Sequence, residues 1–133
     1  MQKVNCVLLV DDDEVTNYLS ERVIKKIDLS RTIKKTQNGE DALLYLTKHC
    51  CNFDDIYFPE LIILDNQMPE MNGIEFLQSI NQINLNASNR IKIIVLTAFP
   101  NKKDEETMRK LGIKALIQKP LTEEKLSKVI AEI

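Results

Sequence analysis

Three consecutive aspartates follow an apolar run in the stretch LLVDDDEV, which spans residues 8–15. A further aspartate, Asp65, ends a second apolar run in LIILDNQMPEMNG. Carboxylates that lie close together stay ionised only if a positive charge is placed among them. Oxygen ligands of this kind suit Mg²⁺, which also retains several waters. We therefore expect Asp11, Asp12 and Asp65 to converge on one magnesium site.

Two other apolar runs end in residues that would complete a phosphate-binding site. IVLTAF places the hydroxyl of Thr97 at the end of one run, and LIQKP places the ammonium of Lys119 at the end of another. Mg²⁺ and Lys119 together balance the charge of the three carboxylates, and a phosphoryl group adds acceptors for the metal, the ammonium and the hydroxyl. An aspartate can itself attack phosphorus and form an acyl phosphate. The predicted chemistry is phosphoryl transfer.

The elements that carry these residues are predicted to alternate between strands and helices. Apolar runs at residues 4–10, 61–64 and 91–96, with shorter ones around Ile33 and at residues 115–117, indicate five strands. Apolar residues at helical spacing follow each strand: Val15, Leu19, Val23 and Ile27; Ala42, Leu43 and Leu46; Phe76, Ile80 and Ile83; Met108 and Leu111; Leu126, Val129, Ile130 and Ile133. Five such repeats predict an α/β fold with a parallel sheet covered by helices on both faces.

The second strand decides the predicted strand order. Its sequence, RTIKKTQ, has Ile33 as its one strongly apolar residue, so it is too polar for the centre of the sheet and belongs at an edge. The expected order is 2-1-3-4-5. In such doubly wound sheets, ligands bind where the strand order reverses, here between strands one and three, whose ends carry Asp11, Asp12 and Asp65.

The composition argues against several other classes of protein. A chain of 133 residues fits one domain, and we expect residues 1–133 to form it. The net charge of −2, without a block of Lys or Arg, argues against nucleic acid and anionic membrane as partners. No apolar run approaches the roughly 20 residues that cross a bilayer, so we expect a cytoplasmic protein. Three cysteines, Cys6, Cys50 and Cys51, indicate neither a disulfide framework nor a zinc site.

The residues of the predicted site resemble a known family in type, order and spacing. The receiver domain of two-component response regulators has signature residues whose counterparts in this chain are Asp11-Asp12, Asp65 followed by MPEMNG, Thr97-Ala98 and Lys119-Pro120. The resemblance covers essentially the whole chain. It implies a doubly wound, flavodoxin-like (βα)5 fold and a cis peptide bond before Pro120.

The resemblance also implies how the phosphoryl group is received. Asp65 would be the phosphoacceptor, and Thr97 and Lys119 would contact the phosphoryl oxygens. The donor would be a histidine kinase or a histidine phosphotransfer protein. The chain would not be an enzyme in the ordinary sense, since it would catalyse only its own phosphotransfer and autodephosphorylation.

The metal ligands follow from the same resemblance. Asp12 would bind Mg²⁺ directly, Asp11 would act in the outer shell or through a water, and Asp65 would also belong to the metal site. The main-chain carbonyl of Gln67 would be a further ligand.

Output in the absence of an effector domain would be the binding of another protein. A charge change on Asp65 would alter the surface of the fourth helix, fifth strand and fifth helix, and an unknown downstream protein would respond. Many receivers have an aromatic residue where this chain has Leu116, which argues against an aromatic rotamer switch. The stimulus, the cognate kinase, the target, the phosphoryl lifetime and the oligomeric state do not follow from the sequence.

Three alternative functions are retained. The chain could be the receiver part of a hybrid kinase or of a longer regulator. It could be a pseudo-receiver that binds a partner without being phosphorylated, although every charged site residue is present. A haloacid-dehalogenase-like phosphohydrolase needs a second aspartate two residues after the nucleophile, and Gln67 occupies that position.

Several other residues have structural interpretations. Asp13 is expected to cap the helix that follows it. Gly73 is assigned to the turn before the third helix, and Gly112 to a left-handed helix terminus. His49 is expected to be a helix-end residue rather than a phosphorelay histidine. Phe99, two residues after Thr97, is predicted to slow hydrolysis of an acyl phosphate.

The connection before the third strand is longer than usual. Its sequence, KHCCNFDDIYFPEL, contains three aromatic residues, Phe53, Tyr57 and Phe58. We expect this segment to fold onto the edge of its own sheet, with partner contact as the alternative.

Overall fold

A computed structural model describes residues 3–50, 54–83 and 90–133 of the chain. Within these ranges the strands are β1 (Cys6–Val10), β2 (Thr32–Thr36), β3 (Leu61–Asp65), β4 (Lys92–Thr97) and β5 (Ala115–Gln118). The helices are α1 (Glu14–Lys26), α2 (Gly39–His49), α3 (Gly73–Gln82), α4 (Lys102–Lys110) and α5 (Glu123–Glu132). Strands and helices alternate along the chain as the hydrophobic pattern predicts.

The five strands form one parallel sheet in the order β2-β1-β3-β4-β5. This order confirms both the predicted topology and the edge position of the polar strand β2. Val10 pairs with Leu64, and Asp65 pairs with Leu96, so that β1, β3 and β4 end at nearly the same level. The residues that follow these strands are therefore brought to one edge of the sheet.

Alternating residues of the strands pack against helices on opposite faces of the sheet. Val7 and Leu9 belong to a core cluster with helices α1 and α5, whereas Leu8 and Val10 belong to a cluster with helices α2, α3 and α4. All five residues of β1 are buried, as expected for a central strand covered on both sides. The sheet is thus covered by two helices on one face and three on the other.

The structure confirms the roles at helix ends that the sequence predicted for Asp13, Gly112 and Gly73. The side chain of Asp13 caps α1 by accepting a hydrogen bond from the N–H of Val15. Gly112 follows α4 with φ of +107°, a conformation that side chains rarely adopt. Gly73 opens α3, and an added Cβ there would lie 2.7 Å from Oδ1 and 3.2 Å from Cα of Asn66, so a side chain at this turn would force its neighbours to shift.

The buried face of α1 only partly matches the apolar stripe predicted from the sequence. Asn17, Ser20 and Ile24 are buried against the sheet. Val15 and Leu19, which form part of the apolar pattern, are 63% and 51% exposed. The spacing thus predicted the helix correctly, but part of its apolar stripe faces outward.

The long connection between α2 and β3 folds onto its own sheet, as expected. The hydroxyl of Tyr45 donates to the carbonyl of Tyr57, and Nζ of Lys34 on β2 lies 4.5 Å from the centre of the Tyr57 ring. Phe58 is buried in the core. The predictions for Phe53 and Cys51 lie outside the described residues. Among the helices of the described residues, we find none with the length and apolar character needed to cross a bilayer.

Candidate functional site

Three carboxylates meet where β1 and β3 end. Asp11 directly follows β1, and Asp65 is the last residue of β3, the strand beside it in the sheet. Asp11 and Asp65 are buried, and Asp12 is exposed. One carboxylate oxygen from each of Asp11, Asp12 and Asp65 lies within 4.8 Å of the others. The structure therefore brings together the three aspartates predicted from the sequence.

Lys119 directly follows β5 and reaches this cluster across the intervening strand β4. Its Nζ lies 2.9 Å from Oδ1 of Asp65 and 3.6 Å from Oδ2 of Asp11. Burial lowers the pKa of Lys119, but the hydrogen bond to Asp65 and the charges of both aspartates outweigh burial, so the net pKa is raised. The ammonium is therefore charged and acts as a fixed cation among the carboxylates.

The backbone around Lys119 is held on both sides. Its N–H donates to the carbonyl of Thr97 at 2.8 Å. The ammonium of Lys125 donates to the carbonyls of Gln118 and Pro120, at 2.9 and 3.1 Å. The peptide bond between Lys119 and Pro120 is cis, as the resemblance implied.

The pKa of Asp11 reflects its burial first and the charges around it second. Burial raises the pKa of Asp11 to about 6, and the charges of Asp65 and Asp12 act in the same direction. The N–H of Asp13 donates to Oδ1 of Asp11 at 2.9 Å and lowers the pKa, as does the charge of Lys119. Three carboxylates face the single ammonium of Lys119, so a further cation would be stabilised there.

The donor set fits Mg²⁺. Carboxylate oxygens of Asp11, Asp12 and Asp65 are the hard ligands that this ion prefers, and the exposed position of Asp12 leaves an open side for waters and substrate. The described residues place no cysteine or histidine in this group. The arrangement can thus hold a divalent cation next to an aspartate that is also contacted by a lysine.

Thr97 and Gln67 flank the same aspartate. Thr97 is the last residue of β4 and is buried; its Oγ1 accepts a hydrogen bond from the N–H of Phe99 at 3.2 Å. Because Thr97 is the acceptor in this bond, the hydrogen of its own hydroxyl takes no part in it. The N–H of Gln67 donates to Oδ1 of Asp65 at 3.2 Å. Phe99 itself is 76% exposed.

An exposed apolar surface lies next to the site on α1. Val15, Tyr18 and Leu19 are each more than half exposed. A groove of about 700 Å³ runs between this helix and the segment after β5, and its lining includes Leu19, Lys119 and Pro120. The sequence analysis did not identify this surface, because apolar spacing on a helix ordinarily indicates the buried face.

His49 lies away from the site and has a structural environment. It ends α2, and its Nδ1 is 2.8 Å from Oδ2 of Asp55. Its ring packs against Tyr45 and Tyr57. The hydrogen bond with His49 is the main reason that the pKa of Asp55 is lowered. These contacts fasten the long connection before β3.

Asn17 is a site-related residue that the sequence analysis missed. It is buried, and its side-chain amide donates to the carbonyls of Asp11 and Thr36, at 3.1 and 3.3 Å. The sequence offered no direct signal, because Asn17 lies outside the predicted apolar stripe of α1 and its burial on the same side of the helix as Ile24 is known only from the structure. A polar residue on the buried side of a helix near a strand end indicates a specific hydrogen-bonding role.

Comparison with known proteins gives consistent matches over most of the chain. The family model for the response regulator receiver domain matches residues 7–131. The polar-differentiation response regulator DivK of Brucella anthropi is 33% identical over 116 residues, covering 87% of this chain and 85% of that protein. The two-component response regulator ARR22 of Arabidopsis thaliana is 28% identical over 134 residues, covering 99% of this chain and 85% of that protein.

The fold has close counterparts among solved structures. A two-component response regulator from Cytophaga hutchinsonii has a TM-score of 0.87 to this chain, with 98% of this chain and 97% of that chain covered. The sequence identity is 23%, so this likeness bears on the fold alone.

Proposed function

The chain belongs to the response regulator receiver domain family of two-component signalling, and we propose that it is a phosphorylation-dependent switch whose Asp65 accepts the phosphoryl group. The observation that carries this proposal is the distance of 2.9 Å between Nζ of Lys119 and Oδ1 of Asp65, within a cluster of three carboxylates. An aspartate paired with a lysine and placed beside a cation site is arranged for phosphoryl transfer rather than for structural support alone.

The contacts of Asp65 suggest which oxygen reacts. Oδ1 accepts hydrogen bonds from the ammonium of Lys119 and from the N–H of Gln67. We therefore assign nucleophilic attack to Oδ2. In transfer from a phosphohistidine, a P–O bond forms at Oδ2 while the P–N bond breaks, and the imidazole leaves with the electron pair and takes up a proton.

The remaining site residues would stabilise the transferred group. The ammonium of Lys119 would bind one phosphoryl oxygen, and the hydroxyl of Thr97 would donate to another. Asp12 and Asp65 would bind Mg²⁺ directly, with Asp11 in the outer shell and the carbonyl of Gln67 as a further ligand. Bound Mg²⁺ supplies positive charge that neutralises the phosphoryl oxygens during transfer. Receiver domains of this family bind Mg²⁺ at such an aspartate cluster.

The donor of the phosphoryl group is proposed to dock on α1. Membership of the receiver family implies that the donor is a histidine kinase or a histidine phosphotransfer protein. The exposed side chains of Val15, Tyr18 and Leu19 offer an apolar contact surface on the helix that follows Asp11 and Asp12. The adjoining groove extends this surface to Lys119. A donor seated there would bring its phosphohistidine to Asp65.

Output is proposed to begin at Thr97. Its Oγ1 accepts a hydrogen bond from the N–H of Phe99 in the loop before α4. If the hydroxyl turned toward a phosphoryl oxygen, this bond would be disturbed and the loop would repack. The change would reach α4, β5 and α5, whose surface a downstream protein would recognise. Leu116 on β5 is half-buried against the core cluster below α4, so its packing would change with that movement.

Intact-mass measurement after incubation with acetyl phosphate and Mg²⁺ tests the proposal. We expect wild type to gain one phosphoryl group, and both Asp65→Asn and a chelator to abolish the gain. Asp41→Asn, which changes an exposed aspartate of α2, is the matched control and should be phosphorylated normally. No gain in wild type, either from acetyl phosphate or from a phosphorylated histidine kinase, would favour a pseudo-receiver that only binds a partner.

A further inference from the structure

We propose that Asn17 is a positioning residue for the magnesium site, acting through the peptide that joins Asp11 to Asp12. This inference rests on the proposed function, because it concerns the affinity of that site for Mg²⁺. Asn17 does not belong to the carboxylate cluster. Its side chain acts instead on the backbone that carries two of the three carboxylates.

The contacts of Asn17 are made with two strand ends at once. Its Nδ2 donates to the carbonyl of Asp11 at 3.1 Å and to the carbonyl of Thr36 at 3.3 Å. The carbonyl of Thr36 also accepts the N–H of Asp11 at 3.1 Å. Both hydrogens of the Asn17 amide are therefore used to fasten the end of β1 to the end of β2.

The direction of the Asp11 carbonyl sets the position of Asp12. It belongs to the planar peptide group whose nitrogen is that of Asp12, so its direction fixes where the Cα of Asp12 lies. The other groups of Asp11 are held separately, because its N–H donates to Thr36 and its Oδ1 accepts from the N–H of Asp13. Asn17 thus supplies the restraint that sets Asp12, an exposed residue, relative to Asp11.

Burial makes this restraint strong. Asn17 is 4% exposed, so water does not readily replace its amide as the donor to these carbonyls. Its backbone is fixed by the first turn of α1, in which the N–H of Asn17 donates to the carbonyl of Asp13. A side chain held in this way transmits the rigidity of the helix to the metal ligands. Groups that orient metal ligands in this way commonly affect affinity by roughly tenfold or more.

Ser30 provides a matched control at the other end of the same two strands. It is 5% exposed, and its Oγ lies 3.1 Å from the carbonyls of Asn5 and Thr32, which flank or begin β1 and β2. It therefore resembles Asn17 in burial and in bonding, but it is remote from the carboxylates. Ser30→Ala should lower the melting temperature without affecting Mg²⁺.

The test compares Asn17→Ala, Asn17→Ser and Ser30→Ala with wild type by titration calorimetry of Mg²⁺ and by thermal unfolding. We expect the Kd for Mg²⁺ to rise about tenfold in Asn17→Ala, and to stay unchanged in Ser30→Ala at a similar loss of melting temperature. Asn17→Ser replaces Asn17→Ala if the latter does not fold, and its Kd should also rise. The rate of phosphorylation by acetyl phosphate should return to within about twofold of wild type at saturating Mg²⁺, since Asp65, Thr97 and Lys119 are not displaced.

An unchanged Kd in a folded Asn17 variant, with only the melting temperature lowered, would overturn the inference. So would a rate that stays low at saturating Mg²⁺. These outcomes leave the proposed function intact, because wild type would still bind Mg²⁺ and become phosphorylated. Absence of Mg²⁺ binding by wild type itself would overturn both the inference and the proposed metal site.

Discussion

The ammonium of Lys119 lies 2.9 Å from Oδ1 of Asp65, although Asp65 ends β3, Lys119 follows β5, and β4 separates these two strands in the sheet. The contact arises because β3, β4 and β5 are parallel and end at the same edge, so that a long side chain spans the middle strand. A positive charge that belongs to the protein thus competes with Mg²⁺ for the same carboxylates. Removal of the ammonium should therefore affect phosphorylation and Mg²⁺ binding in opposite directions.

Replacing Lys119 by Met should slow phosphorylation and tighten Mg²⁺ binding at the same time. Loss of the ammonium removes a charged contact to the phosphoryl group and should lower the rate with acetyl phosphate by about 10- to 100-fold. It also leaves three carboxylates without their neighbouring cation, so the Kd for Mg²⁺ should fall. Mass spectrometry and calorimetry measure the two effects.

Lys125→Met is a useful companion variant, because Lys125 contacts the carbonyls beside Lys119 and not the carboxylates. It should leave the Kd for Mg²⁺ close to that of wild type. Weaker Mg²⁺ binding in Lys119→Met would contradict the idea that the ammonium and the metal compete.

Magnesium affinity should fall in acid. The pKa of Asp11 is raised to about 6, chiefly by burial, and a protonated Asp11 no longer contributes charge to the metal. The Kd for Mg²⁺ should therefore be nearly constant above about pH 7 and roughly tenfold weaker at pH 5. Calorimetry across this range measures it, and a Kd that does not change between pH 7 and pH 5 would refute the prediction.

The same pKa predicts the sign of a stability effect in the absence of metal. Because the pKa of Asp11 is higher in the folded protein than in the unfolded chain, the folded state binds more protons between about pH 4 and pH 6. The contribution of Asp11 to the free energy of unfolding therefore decreases as pH rises through that window. Asp11→Asn should accordingly become increasingly stable relative to wild type as pH rises, and a difference independent of pH would contradict this.

Phe99 should prolong the lifetime of the phosphorylated protein. Its side chain is 76% exposed, and its N–H donates to Oγ1 of Thr97, so we predict that it hinders the approach of water to an acyl phosphate. Phe99→Ala should shorten the phosphoryl half-life severalfold, measured as loss of the mass increment after the donor is removed. A half-life equal to that of wild type would show that this prediction is wrong.

Transfer from a protein donor should depend on the apolar surface of α1. Leu19→Asp places a charge on that surface, and we expect the efficiency of transfer from a phosphorylated kinase or phosphotransfer protein to fall about tenfold. Phosphorylation by acetyl phosphate should be unaffected, since no protein surface is needed.

Leu44→Asp is the matched control for this experiment. Leu44 is 64% exposed, compared with 51% for Leu19, but it lies on α2. Its substitution should leave both donors effective. Equal effects of the two substitutions, or an equal loss with acetyl phosphate, would show that α1 is not the docking surface.

Much of the fold could be predicted from the sequence because its patterns are local. Continuous apolar runs predicted buried parallel strands, and the polar composition around Ile33 placed β2 at the edge, as the structure confirms. Capping by Asp13 and helix termination at Gly112 also depend on a few neighbouring residues. The convergence of Asp11, Asp12 and Asp65 followed from the strand order, since parallel strands end at one edge.

Other features depended on contacts that no local pattern contains. Asn17 lies in an ordinary helical segment, and only the packing of α1 between two strand ends gives its amide two carbonyl partners. The outward position of Leu19 likewise follows from how α1 seats on the sheet, which a helical period alone does not specify. The sequence by itself determined which chemical groups were present and at which strand ends they lay. The tertiary structure decided their distances, their burial and the raised pKa of Asp11, because these quantities depend on neighbours that are remote in the chain.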